Sequence, residues 1–181
     1  TTDYNGYDIS CYGGNDGSIQ VQSSGGCSPF NYVWSHDAAN NTNTSNAMLA
    51  GNYTVTVTDA VGQVEDIPVT LTQPDSLSDL SSSVNVSCFG EVDGSITLNV
   101  SGGVSPYVYS QGPQLNNLPG GNYNFIVTDD NNCTLPIAIT IIEPADITIT
   151  GQNTYYMYCG EEVQLNIDVY GGSGGFVYNW S

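Results

Sequence analysis

The chain has 181 residues with no lysine or arginine, 18 acidic residues and one histidine, giving a formal charge of −18 at neutral pH. Phosphate recognition rests on Lys and Arg displacing counterions, so nucleic acid is excluded as a partner, and an anionic membrane surface by the same argument. No apolar run reaches the roughly 18 residues needed to cross a bilayer, so membrane insertion is not expected.

Residues 1–74 read as a first β module, in which runs of β-branched and aromatic residues alternate with polar ones between Gly, Asn, Ser and Asp turns. Ile19 and Val21 alternate with Gln20 and Gln22, the pattern of a half-buried strand. Phe30, Tyr32 and Trp34 follow at spacing two and share one face of the next strand. Asp37 to Asn46 reads as a polar loop. Tyr53, Val55 and Val57 point inward on the clearest strand, and Ile67-Pro-Val69-Thr-Leu71 returns as the last one before Gln73-Pro74.

Residues 75–144 repeat that plan. Cys88, Asp93-Gly94-Ser95-Ile96, Gly102-Gly103, Pro106 and Tyr107 match Cys11, Asp16-Gly17-Ser18-Ile19, Gly25-Gly26, Pro29 and Phe30 at an offset of 77 residues. After the loop the offset falls to 70, so Tyr123, Phe125 and Val127 match Tyr53, Val55 and Val57, and Pro144 matches Pro74. Residues 145–181 read as the start of a third, diverged module, with Ile147-Thr-Ile149-Thr, a cysteine at Cys159, a strand over Val163 to Val169, then Gly171-Gly172 and Phe176-Val-Tyr178-Asn-Trp180. A fixed period marks an array of like modules rather than one large fold. Short strands with turn signals every 8 to 12 residues predict an all-β chain of tandem immunoglobulin-like antiparallel sandwiches, six or seven strands each. Trp34, at the end of the third strand, is expected in the inter-sheet core; Gln111 holds that register in the second module, whose core must be filled otherwise. The incomplete third copy and the lack of a signal peptide suggest a segment of a longer exported protein.

Modules this small usually need a staple. Five cysteines without Cys-x-x-Cys spacing point to disulfides and an oxidising, extracellular setting. Cys88 with Cys133 is the natural pair in the second module. Gln63 replaces the turn cysteine in the first, which leaves Cys11 with Cys27 as its intramodular option, and Cys159 would pair beyond residue 181. No base adjoins any cysteine, so a catalytic thiol is not expected. Asp16 and Asp93 in their Asp-Gly-Ser turns, and Asp59, Asp129 and Asp130 after the Tyr strands, have two readings: turn caps, or a calcium site at a loop cluster. A glycosidase pair is disfavoured because it would be one constellation, whereas these acids recur per module. His36 reads as a solvated side chain. The aromatic positions read as core rather than a sugar-stacking platform. Sequons occur at Asn40, Asn43, Asn52, Asn85, Asn99, Asn132 and Asn179, and Asp75-Ser76-Leu77 fits an O-glycosylation pattern that would modify Ser76.

Cys-x-Gly-x-x-Asp-Gly-Ser-Ile, Gly-Gly-x-x-Pro-Tyr/Phe-x-Tyr, Leu-x-Gly-Asn-Tyr-x-Val-x-Val-Thr-Asp and Gln/Glu-Pro, in that order, resemble the SprB repeat of giant surface adhesins from gliding Bacteroidetes. The resemblance covers nearly all of residues 8–144. It implies type IX secretion, a cell-surface location, and a non-enzymatic role as stalk or filament in adhesion or gliding. The expected partners are neighbouring repeats, laterally associated copies in a fibre, and surface polysaccharide. The alternative is that these modules are spacers or carbohydrate-binding units of a secreted multidomain hydrolase.

Overall fold

The computed structural model describes residues 1–150 and 167–179, and among them there is no helix. In the first repeat, β1 (Gly17–Gln20) pairs antiparallel with β3 (Thr44–Met48), while β2 (Asn31–Trp34), β4 (Gly51–Thr58) and β5 (Val64–Leu71) form a second sheet in the order β2-β4-β5. Ile19 and Met48 from the first sheet and Trp34, Val55, Val57 and Leu71 from the second meet in one core with Ile9 and Val21. Two sheets sharing one apolar layer make a sandwich, and the alternation of inward Val55 and Val57 with Thr54 and Thr56 is the period of two that builds it. Phe30, Tyr32 and Tyr53 pack against this core, as their spacing implies.

Trp34 is 1% exposed, and its indole Nε1 donates to Thr42 O at 2.8 Å, so the ring is buried without stranding its polar hydrogen. It closes β2, the second strand of the repeat rather than the third. Trp34→Ala is expected to cost roughly 3–5 kcal/mol, read as a lower denaturant midpoint.

In the second repeat the strands are β6 (Ser78–Asp79), β7 (Ser82–Val84), β8 (Gly94–Thr97), β9 (Val100–Ser101), β10 (Val108–Tyr109), β11 (Gln114–Leu118), β12 (Gly121–Thr128) and β13 (Thr134–Ile141). They form sheets β11-β8-β7, β10-β12-β13 and β6-β9. Five strands in one repeat and eight in the next differ from the even six or seven expected: the linker residues Ser78–Asp79 pair with β9, and β7 adds a strand on β8 that the first repeat lacks. Gln111 is exposed, and the volume of the missing tryptophan is supplied by Phe125, 2% exposed. Trp34 faces Val55 across β2 and β4, and Gln111 and Phe125 are the equivalents of that pair. The bulky ring has moved to the facing strand, a swap that conserves volume.

Thr44–Asn46, expected to be loop, belongs to β3. Nothing in Thr-Ser-Asn-Ala-Met favours a strand locally; pairing with β1 imposes it. That pairing carries a bulge at which Ala47 takes φ 55°, and β11 bulges against β8 at Asn117, φ 57°, 70 residues on.

The third repeat shows β14 (Thr148–Thr150) paired with β15 (Asp168–Tyr170). Cys159, Glu161-Glu162, most of the strand expected from Val163, and Trp180 lie outside the described residues. Each sheet stays within one sequence repeat, but the compact units interleave the repeats. One comprises Thr1–Asp79, Val100–Ser110 and Ile126–Pro136; the other comprises Leu80–Asn99, Gln111–Phe125 and the described residues from Ile137 onward.

Candidate functional site: a clasp between repeats

The residues that define the repeat are hydrogen-bonding devices, and they recur in pairs. Asp16 Oδ1 accepts from Ser10 N at 3.1 Å, and Asp93 Oδ1 from Ser87 N at 2.9 Å. Gly13 N donates to Gln73 Oε1 at 2.9 Å, and Gly90 N to Glu143 Oε1 at 2.6 Å, so the Gln/Glu before each closing proline caps the cysteine loop. Tyr53 OH donates to Leu49 O and Tyr123 OH to Pro119 O, both at 2.8 Å, fixing the entry to each long strand.

Asp59 and Asp129 hold the turn after that strand. Asp59 Oδ1 accepts from Val61 N and Gln63 N, and its Oδ2 from Cys27 N. Asp129 Oδ1 accepts from Asn131 N and Cys133 N, and its Oδ2 from Val104 N. Asp129 is 3% exposed, and it is a buried carboxylate compensated wholly by backbone N–H groups. Asp129→Ala strands three donors and is expected to cost on the order of 3–5 kcal/mol, while Asp129→Asn, which keeps a carbonyl acceptor, costs less. Thermal melts of the two variants check this ordering.

Backbone N–H groups of Cys27 and Gln63 hold the Asp59 carboxyl below the usual carboxylate range. At Asp93 the Ser87 hydroxyl and N–H have that effect. At Asp16 burial pushes upward, but the hydrogen bonds from Ser10 outweigh it and the result is again lowered. A carboxyl whose folded pKa is depressed stabilises above its unfolded value, near 3.9, and loses that contribution as pH falls through the folded value. Stability from these three groups is therefore expected to be complete above about pH 4 and to fade below it. Urea midpoints from pH 5 to 2 check this, with a shallower acid limb in Asp16→Asn.

The candidate calcium ligands are engaged in hydrogen bonds of their own or a neighbouring loop. Asp16, Asp59, Asp93 and Asp129 each turn oxygens onto N–H groups, and Asp130 Oδ2 accepts from Asn5 Nδ2 at 2.9 Å. Among the described residues no three of His, Cys, Asp or Glu converge as a metal site. His36 is exposed but engaged: its Nε2 is 3.0 Å from Ser45 Oγ, and its ring meets Trp34 and Tyr53 edge-on. Ser76 is exposed on the linker.

The cysteine pairing is corrected. Cys11 is bonded to Cys133, with Cα atoms 5.8 Å apart, whereas Cys27 and Cys88 are free and exposed. The expected pairs Cys88–Cys133 and Cys11–Cys27 are therefore replaced by one bond from the opening loop of the first repeat to the turn of the second. Polar contacts aim that turn. Asn131 Nδ2 donates to Ser10 O at 2.9 Å and Tyr4 O at 3.3 Å, and Asn5 Nδ2 donates to Asn131 Oδ1 at 2.7 Å. Asp129 supplies the other side by gripping Cys133 N. Beside the bond, Cys11, Tyr12, Pro74, Ser76, Gly103 and Cys133 line a groove of about 390 Å³. The backbone approach beside it depends on glycine: at Gly102, φ 76°, a Cβ would run into Ser76 O, and Gly103 N donates to Asp75 O at 2.8 Å. Sequence reasoning missed this clasp; its one local signal was that Asn131 and Cys133 change together from Val61 and Gln63.

No curated protein and no solved structure matches the chain at a significant level. The model of the SprB repeat family matches residues 7–39 and 80–114. Those spans hold both cysteine loops, both Asp-Gly-Ser-Ile strands and both Gly-Gly-x-x-Pro segments. The clasp therefore runs from Cys11, inside one segment that matches the SprB repeat, to Cys133, in the turn that follows the other.

Proposed function

We propose that the chain is a non-enzymatic stalk segment of a secreted cell-surface adhesin, acting in surface adhesion or gliding. The observation that carries this reading is the Cys11–Cys133 bond, which ties one SprB repeat to the next where a spacer with independent modules needs no such tie. A strongly acidic surface without a single cationic side chain suits a solvated, self-repelling stalk. The exposed Ser76 would accept an O-glycan there, and surface polysaccharide would be the adhesive target. Lateral growth into fibres through edge strands is disfavoured at β5, an edge that carries Glu65, Asp66 and Pro68.

The experiment is to label an epitope within residues 75–144 on live source cells and image cells and medium together. Signal on long surface filaments supports the stalk. Signal confined to the medium and copurifying with hydrolase activity overturns it in favour of a spacer.

A further inference from the structure

We propose that Cys88 is the docking thiol for the turn cysteine of a following repeat, so that disulfides run from the opening loop of each repeat to the turn of the next. The loop around Cys88 repeats four hydrogen bonds of the bonded loop around Cys11. Glu91 N donates to Cys88 O as Gly14 N donates to Cys11 O. Ile142 N donates to Asn85 Oδ1 as Thr72 N donates to Asp8 Oδ2. With the Asp93–Ser87 and Glu143–Gly90 bonds, the Cys88 loop is held by the same hydrogen bonds as the loop in which Cys11 is disulfide-bonded.

The second observation lies at the start of the third repeat, which arrives as the second does. Gly172 N donates to Ala145 O as Gly103 N donates to Asp75 O. A Cβ on Gly171 would run into Asp146 O, as one on Gly102 would run into Ser76 O. The Gly-Gly-x segment then reaches the cysteine loop: Ser173 Oγ donates to Ser87 O at 2.8 Å, and Ser87 is the equivalent of Ser10, whose carbonyl oxygen takes Asn131 Nδ2. A repeat seated in this way brings its turn to Cys88 as the second repeat brings Cys133 to Cys11. Gln63, at the turn position of the first repeat, can receive no such bond, so no clasp of this kind enters the first repeat at its turn.

The chemistry is thiol–disulfide exchange with a disulfide-bearing oxidant such as oxidised glutathione. The Cys88 thiolate attacks the oxidant and expels one thiol. The turn thiolate then displaces the second, so that two electrons and two protons leave with the reduced oxidant.

The test uses the full chain extended after Ser181 by a copy of residues 113–144, which completes the third repeat in register, with Thr134→Ser in the copy as a mass tag. After refolding in a glutathione buffer, unreduced protein is alkylated, digested with Asp- and Glu-specific proteases and mapped; trypsin has no site, since Lys and Arg are absent. The expected result is loss of Cys88 labelling and a peptide joining Cys88 to the tagged turn, alongside the Cys11–Cys133 peptide. A second chain, residues 1–144 followed by a copy of 75–144, provides an added repeat whose whole sequence is already seen folded. Cys88 still labelled in both chains, or joined to Cys27, Cys159 or Cys133, overturns the proposal. The mapping does not depend on the adhesive reading, so each stands or falls separately.

Discussion

Cys133→Ser is expected to lower the unfolding free energy by about 5 kcal/mol, the largest effect of any single side chain here. The bond closes a loop over a sequence separation of 122 residues, and in the chain-entropy model the stabilisation grows with the logarithm of that length. Domains of ordinary stability hold only about 5–15 kcal/mol in total, so the variant would sit near its unfolding threshold at moderate temperature. The melting temperature would fall by something on the order of 10–20 °C. Cys11→Ser should match it, because both substitutions open the same loop. Cys27→Ser removes an exposed free thiol and should change stability by no more than about 0.5 kcal/mol. Equal melting curves for Cys133→Ser and Cys27→Ser would show that the clasp does not close in solution.

The strands and their inward faces were legible in the sequence because period-two patterning is a local property. Tyr53, Val55 and Val57 announce β4 without reference to any other part of the chain, and Ile67 to Leu71 announce β5 in the same way. Trp34 was legible as core because a large apolar ring at the end of an alternating run has few other places to go. The strand nature of Thr44–Asn46 was hidden, since it comes from hydrogen bonds to β1 and not from its own side chains.

The clasp was hidden for a related reason. Reasoning within one module favours Cys88 for Cys133, because the shorter loop costs less entropy to close. What reverses that preference is a set of long-range polar contacts. Asn131 reaches Ser10 O and Tyr4 O, and Asn5 reaches Asp130 and Asn131, at sequence separations of 121 to 127. Their one local trace is the joint change of Asn131 and Cys133 from Val61 and Gln63. The aspartates had two readings in the sequence, turn caps or calcium ligands, and Asp16, Asp59, Asp93 and Asp129 each accept from N–H donors of their own or a neighbouring loop. A turn cap and a cation ligand look alike in sequence because both need an unpaired carboxylate oxygen beside glycine. They separate only when the direction of the neighbouring N–H groups is known.

A chain pulled from its two ends is expected to lengthen by about 400 Å more when the Cys11–Cys133 bond is reduced than when it is intact. Force entering at Thr1 reaches Cys11 and crosses directly to Cys133, so the residues between them carry no tension while the bond holds. Reduction puts that separation of 122 residues back into the force path, and an extended residue adds roughly 3.3–3.6 Å. Single-molecule extension of the full chain with and without reductant reads the difference directly, and Cys133→Ser should give the long extension in both conditions. The physical consequence bears on the stalk reading. A tandem array of marginal modules under load would unravel one module at a time, whereas a clasp between successive repeats lets a sandwich open locally without surrendering the length of its chain. Identical extension in oxidised and reduced protein would mean that these repeats stretch as independent beads, and a stalk built from them would have no covalent limit on its give.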